Sequence, residues 1–250
     1  MIVLKTPEEI NLLRVVNKAV AEVLREIESK IIPGITTLEL DEMAERLLKE
    51  RNCEPAFKGY RGYPKSICAS VNEEVVHGIP SDKKRLKEGD IISIDLGAKY
   101  RDFFGDMAAT YPVGRISEKA QKLLEVSQRA LVAGVSQARI GNRLGDISSA
   151  IQETVEKESF SVVRFFVGHG IGRELHEMPQ IPNFGVSGKG VRLKEGMVFA
   201  IEPMVNAGGS EVEILEDGWT AVTKDRSLSA HFEHTIAIKK EGPEILTRVY

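Results

Sequence analysis

Cysteine is nearly absent from this chain: Cys53 and Cys68 are the only two in 250 residues, and no C-x-x-C pair brings them together. That argues against a disulfide scaffold or a thiolate zinc site and suits a reducing compartment. As small buried hydrophobes both have an ordinary use. No stretch approaches the roughly 18 consecutive apolar residues that would span a membrane. The N-terminal segment carries Lys5, Glu8 and Glu9 and lacks an apolar run with a small-residue cleavage site. It reads as no secretory signal, and the cytoplasm is the expected location. Positive charge is not in excess either. Lys and Arg number 34 against 37 Asp and Glu, a net charge of −3 with a pI near 6.0, which gives no electrostatic ground for stable nucleic-acid binding. What is present is an ordinary globular composition, 42% hydrophobic and 28% charged, long enough to bury a substantial core.

Two helix starts open the chain. Thr6-Pro7-Glu8-Glu9 and Thr36-Thr37-Leu38-Glu39 are capping boxes, the first followed by apolar residues at helical spacing from Ile10 to Ile27 and stopped by Pro33-Gly34, the second running to about Arg51. Strand-like sequence follows from Ser66 to Val76 and again after Gly89. The order then recurs: helices from about Glu118 to Ala138 and Leu144 to Glu156, strand-like Ser161 to Val167, a glycine-rich turn and further strands. Letters recur with it, since Leu86-Lys87-Glu88-Gly89 leading to Ile94-Asp95 matches Leu193-Lys194-Glu195-Gly196 leading to Ile201-Glu202, an offset of 107 residues. An internal duplication is the reading, with repeats of about 1–113 and 114–250 inside one domain, residues 1–250. The expected fold class is α+β, with Asp95 and Glu202 facing each other across a pseudo-twofold axis.

The segment around Asp95 carries the chemistry. Residues 90–96 alternate with a strand period, Gly97 to Asp102 supplies turn residues, and 103–111 resumes with β-favouring Phe, Thr and Tyr. With the turn centred on Tyr100-Arg101, Asp95 lies directly opposite Asp106, on one face and with Cβ atoms roughly 4.5–5.5 Å apart. Two carboxylates about 4 Å apart repel by about 4 kcal/mol at an effective dielectric near 20. One is therefore protonated or a cation sits between them, whereas a register shifted by one leaves one Asp solvated. Glu202 and Glu233 bring the acids to four, a charge that two divalent ions would balance, and ion pairs of that kind support hydrolysis. His169 and His176 lie in a glycine-loosened turn. Oxygen ligands with one imidazole suit Mn, Fe(II), Co or Zn. His234, adjacent to Glu233, points to the opposite face.

Asp95 and Asp106, Gly168-His169-Gly170-Ile171-Gly172 with His176-Glu177, Ile201-Glu202-Pro203 and Phe232-Glu233-His234-Thr235 together resemble the type I methionine aminopeptidases over essentially the whole chain. The resemblance implies a pita-bread fold and removal of the N-terminal methionine from nascent polypeptides and peptides with a small second residue. It also implies that Asp95, Asp106, His169, Glu202 and Glu233 hold two divalent ions, with Asp106 and Glu233 shared between them. His77 and His176 would stand beside the scissile amide and Glu202 would shuttle a proton. Tyr60, Tyr63, Cys68, Leu175 and Trp219 would line the methionine pocket, with Phe57 at its mouth. A monomer that contacts the ribosome transiently and no membrane is the expected setting, and Met1, followed by bulky Ile2, should be retained. Prolidases share the ligand pattern but usually carry a further N-terminal domain. Non-catalytic modules of the fold lose ligands that this sequence keeps.

Overall fold

Both capping boxes form. In the computed structural model, which describes residues 2–248 and so leaves Met1 outside, Thr6 and Glu9 cap α1 (Pro7–Glu28) reciprocally, and Thr36 and Glu39 cap α2 (Thr37–Glu50). The caps satisfy amides that the first helical turn leaves unpaired. The strands β1 (Ile67–Val71), β2 (Ile91–Tyr100) and β3 (Phe103–Pro112) follow, then α3 (Glu118–Gln137) and α4 (Leu144–Glu156). The chain continues through β4 (Gly168–Gly170), β5 (Glu177–Ile181), β6 (Val198–Ile201), β7 (Met204–Asn206), β8 (Ser229–His231), β9 (His234–Lys239) and β10 (Gly242–Ile245). Two stretches read as continuous strands are divided: Val71 gives way to a turn before Glu74, and the backbone leaves strand geometry between Val162 and Gly168.

Every ladder is antiparallel. Strand β2 is central in the first sheet, with β3 on one side and β1 on the other. In the second, β10, β9, β6, β4 and β5 lie side by side. Each sheet buries one face under its own helix pair. Val16, Val20 and Leu24 of α1 and Leu40 and Leu48 of α2 pack on Ile67, Ile92, Ile94 and Leu96. Leu123, Ala130 and Leu131 of α3 and Ile147 and Ile151 of α4 pack on Phe199, Ile201, Ile236 and Ile238. Small details repeat with the sequence offset. The bridge Thr36–Arg85 has a counterpart in Arg143–Arg192, each member 107 positions on. The Leu86 amide donates to Ile35 O as the Leu193 amide donates to Asn142 O, both at 2.9 Å.

The sheets meet edge to edge. Thr110 Oγ1 donates to His231 O (2.9 Å), Thr235 Oγ1 to Asp106 O (2.8 Å), and the Glu233 amide to Ala108 O (2.8 Å). Strand β3 is thereby stitched to the end of β8, the start of β9 and the Phe232-Glu233 link between them, which brings all four acids to one seam. Among the described residues no helix is long and apolar enough to cross a membrane.

Candidate metal centre

The first hairpin closes differently from the sequence expectation. Its turn is the two-residue loop Arg101-Asp102, with Tyr100 paired to Phe103, so Asp95 faces Ala108 and Asp106 faces Gly97. The cause is local: Arg101 adopts a left-handed φ of 53°, which closes the hairpin in two residues and lets Tyr100 and Phe103 join the ladder. Asp95 and Asp106 become a diagonal pair. Diagonal neighbours still share a face, and both carboxyl groups line the same cavity. Gly97, between them, admits no side chain, because a Cβ there would stand 2.5 Å from Phe57 Cε1.

The second pair of acids is set by another antiparallel register. Ile201 pairs with His234 and Met204 with His231, so the same register carries through the interval and opposes Glu202 to Glu233. Strand geometry lapses at Phe232-Glu233, between β8 and β9, where the Glu233 amide turns to Ala108 of the other sheet. Asn17 of α1 supports the first pair. Fully buried, it donates from Nδ2 to Leu13 O and accepts at Oδ1 from the Asp106 amide (3.2 Å).

His169 comes from β4 with its tautomer fixed. Gly170 O can only accept, so Nδ1, 2.9 Å away, carries the proton and Nε2 presents its lone pair to the acids. Nε2 lies 3.5 Å from Glu202 Oε1 and 3.9 Å from Asp106 Oδ2. These contacts are not ion pairs, since burial, and then His176, push His169 down to about 3. The carboxyl groups shift the opposite way. Burial first, then Asp95 and Glu202, hold Asp106 well above the usual carboxylate range, and burial with Asp106 does the same to Glu233. Asp95 and Glu202 are raised as well, chiefly by burial.

Metal-binding capacity can be judged from these atoms. Asp106, His169 and Glu233 offer donor atoms within 4.8 Å of one another. Asp95 Oδ1, Asp106 Oδ1 and Glu233 Oε1 are buried and accept no hydrogen bond from a described residue. Buried polar atoms without partners are costly, and clustered carboxylates are costlier still unless protonated or balanced by cations. An oxygen-rich set with one neutral imidazole fits a hard or borderline divalent ion. Cys68, paired with Asp95 across β1 and β2, does not join it as a thiolate, because burial and then Asp95 push the thiol well above its ordinary value.

Above the acids the cavity, of about 170 Å³, is walled by Phe57, Tyr60, Tyr63, Cys68, Leu175 and Trp219. Tyr63 meets Trp219 edge to face at 5.1 Å, and its hydroxyl reaches the carbonyls of Ile67 and Gly78. His77 and His176 also face the cavity. Burial, then His231 and His176, lower His77 to about 4, and burial with Arg61 lowers His176. The His176 ring lies 4.3 Å from that of His169, and its Nδ1 is 3.0 Å from Tyr60 Oη. All thirteen residues singled out in the sequence for ligation, catalysis or substrate contact thus line one cavity. His234 stands apart, with Nδ1 2.8 Å from Thr247 Oγ1.

Three residues escaped the sequence reading. His231, 1% exposed, brings Nε2 to 3.4 Å from Glu202 Oε2, and its place two residues before Glu233 was the available signal. Asn17 was visible as a polar residue inside the apolar stripe of α1. Arg61 had no signal beyond its neighbours Tyr60 and Tyr63.

Comparison with known proteins agrees with this geometry. The model of metallopeptidase family M24 matches residues 11–240. The chain is 56% identical over 249 residues to methionine aminopeptidase 1 of Bacillus subtilis (strain 168), covering 100% of both. The crystal structure of methionine aminopeptidase from Thermotoga maritima superposes with a TM-score of 0.98 at 51% identity, again over 100% of both chains. Prolidase from Pyrococcus horikoshii OT3 superposes with a TM-score of 0.80 at 25% identity, matching 99% of this chain but 64% of that one. With these neighbours the α+β architecture is the pita-bread fold.

Proposed function

Since this chain belongs to metallopeptidase family M24 and, within it, to the methionine aminopeptidases, we propose that it removes the N-terminal methionine from peptides and nascent proteins whose second residue is small. The observation that carries the reading is the cavity itself, where four acids and a neutral imidazole form the floor and a sulfur- and aromatic-lined wall rises beside them. Asp95, Asp106, His169, Glu202 and Glu233 are the proposed ligands of two divalent ions drawn from Mn, Fe(II), Co and Zn. Such ions supply Lewis acidity and an acidified water when bound.

The remaining work falls to this chain's own side chains. Glu202 takes the proton of the attacking water and passes it to the leaving amine. His176, steadied by Tyr60, holds the oxygen of the scissile carbonyl, and His77 orients the amide from the other side. The free amino terminus binds beside Asp95, which restricts cleavage to the first bond. Tyr63, Trp219, Cys68 and Leu175 receive the thioether, whose polarizable sulfur favours aromatic edges, and Phe57 closes the pocket. The chain is read as one domain of two repeats, about 1–113 and 114–250, acting as a cytoplasmic monomer. Transient ribosome contact follows from a substrate that emerges there.

The test is a pair of peptides with and without chelator. Met-Ala-Ser should release methionine, lose that release in chelator and recover it with Mn or Co, while a Xaa-Pro peptide stays intact. Cleavage of the Xaa-Pro peptide, or release of methionine indifferent to chelator, overturns the reading.

A further inference from the structure

Arg61 is the single lysine or arginine among the residues lining the cavity. Its neighbours in charge are matched: Lys58 with Glu45 at 2.7 Å and Arg173 with Glu9 at 3.2 Å. Arg61 has no hydrogen bond or ion pair with another described residue, and its guanidinium rests on the ring of Tyr60, 5.3 Å from the centroid. The side chain is exposed, and its five donors are left without an acceptor among the described residues.

The backbone beneath it is built to keep that posture. Arg61 takes a left-handed φ of 49°, between Gly59 at 87° and Gly62 at 90°. Glycine is the default residue for such angles, yet an arginine occupies the middle position. The turn is closed by the Gly59 amide donating to Tyr63 O (2.7 Å) and the Tyr60 and Tyr63 amides donating to Phe57 O and Tyr60 O (both 2.9 Å). Tyr60 in turn touches His176, its Oη 3.0 Å from His176 Nδ1. The guanidinium therefore stands one side chain, Tyr60, away from the group proposed to hold the scissile carbonyl.

We propose that Arg61 is a carboxylate subsite, taking an acidic side chain or the free C-terminal carboxylate of a short peptide just beyond the cleaved bond. The proposal rests on the aminopeptidase reading above. A planar guanidinium fits a carboxylate with two parallel hydrogen bonds, and stacking on Tyr60 reduces the freedom lost on binding. Substrates with a basic residue in that place meet like charge.

The experiment compares kcat/KM for Met-Ala-Glu-amide, Met-Ala-Gln-amide and Met-Ala-Lys-amide, with Met-Ala and Met-Ala-amide separating a terminal from a side-chain carboxylate. The acidic peptide should lead the neutral one by about fivefold, the upper range for one exposed ion pair, and the lysine peptide should trail. Arg61→Gln should level the series, Arg61→Glu should invert it and Arg61→Lys should keep part of it. Salt at about 0.5 M should shrink the preference. Trp219, the sole tryptophan, lines the cavity, so its fluorescence gives peptide binding directly in metal-free protein, where the Glu-to-Lys ratio should fall on Arg61→Gln. An unchanged charge preference in Arg61→Gln, or none in the parent enzyme, overturns the subsite. Failure to cleave any Met peptide strikes the aminopeptidase reading instead.

Discussion

Glu233→Gln should stabilise the metal-free protein while abolishing most of the stabilisation that metal provides. Glu233 is 2% exposed, its Oε1 has no hydrogen-bond partner, and its donor atom lies within 4.8 Å of those of Asp106 and His169. Within 4.8 Å, two ionised carboxylates at an effective dielectric near 20 repel by about 3.5 kcal/mol or more. Uptake of a proton caps that cost, so the net gain from an isosteric amide is about 1–3 kcal/mol. In a domain of this size that is a rise in Tm of about 2–12 °C. A ligand at about 100 times its Kd stabilises by about 2.7 kcal/mol, and Glu233→Gln should forfeit most of it. The assay is thermal unfolding of both proteins in chelator and in saturating Mn. The Tm lead of the variant in chelator should shrink by most of the parent's gain from Mn, and reverse where the amide's own gain is near the lower figure. A variant less stable than the parent in chelator, or one stabilised equally by Mn, refutes the claim that these acids crowd one another until a cation intervenes.

Two further substitutions separate the parts of the site. His169→Ala should lower metal affinity measured by calorimetry, whereas His176→Ala should leave it unchanged and cut kcat with little change in KM, the mark of an interaction made mainly in the transition state; equal loss of metal in both would overturn the assignment of His169 as ligand and His176 as catalyst. Lys5→Met should cost about 3–5 kcal/mol, the penalty for removing one partner of a buried ion pair, because Lys5 Nζ sits 2.5 Å from Glu177 Oε2 with side chains 2% and 12% exposed. That is a fall in Tm of about 6–20 °C, and Glu177→Gln in the same chain should restore part of it; additive losses would show that the pair is not coupled.

How much of this was legible in the sequence differs by level. Helix ends were, because capping boxes are local: Thr6, Glu9, Thr36 and Glu39 each satisfy an amide within three residues. The register of the first hairpin was not. Two-residue turns are signalled by Asn-Gly or Asp-Gly, and nothing in Arg101-Asp102 announces that an arginine will take a left-handed angle. Nor was the end of strand geometry after Val162 in the stretch Ser161 to Val167, where the Val163 amide donates to Met204 O, about forty positions away. The convergence of Asp95 and Asp106 was legible in spite of the wrong register because strand side chains alternate with a period of two, whereas the rest of the cavity came from the family resemblance. Moving the turn centre from Tyr100-Arg101 to Arg101-Asp102 changed the partner of Asp95 from Asp106 to Ala108, a displacement of two residues, which preserves the face. A displacement of one would have turned the carboxylate away from the seam. Parity, and not register, is what a sequence must secure to gather acids from opposing strands, and the diagonal pair Asp95 and Asp106 beside the directly opposed pair Glu202 and Glu233 shows two registers serving the same end.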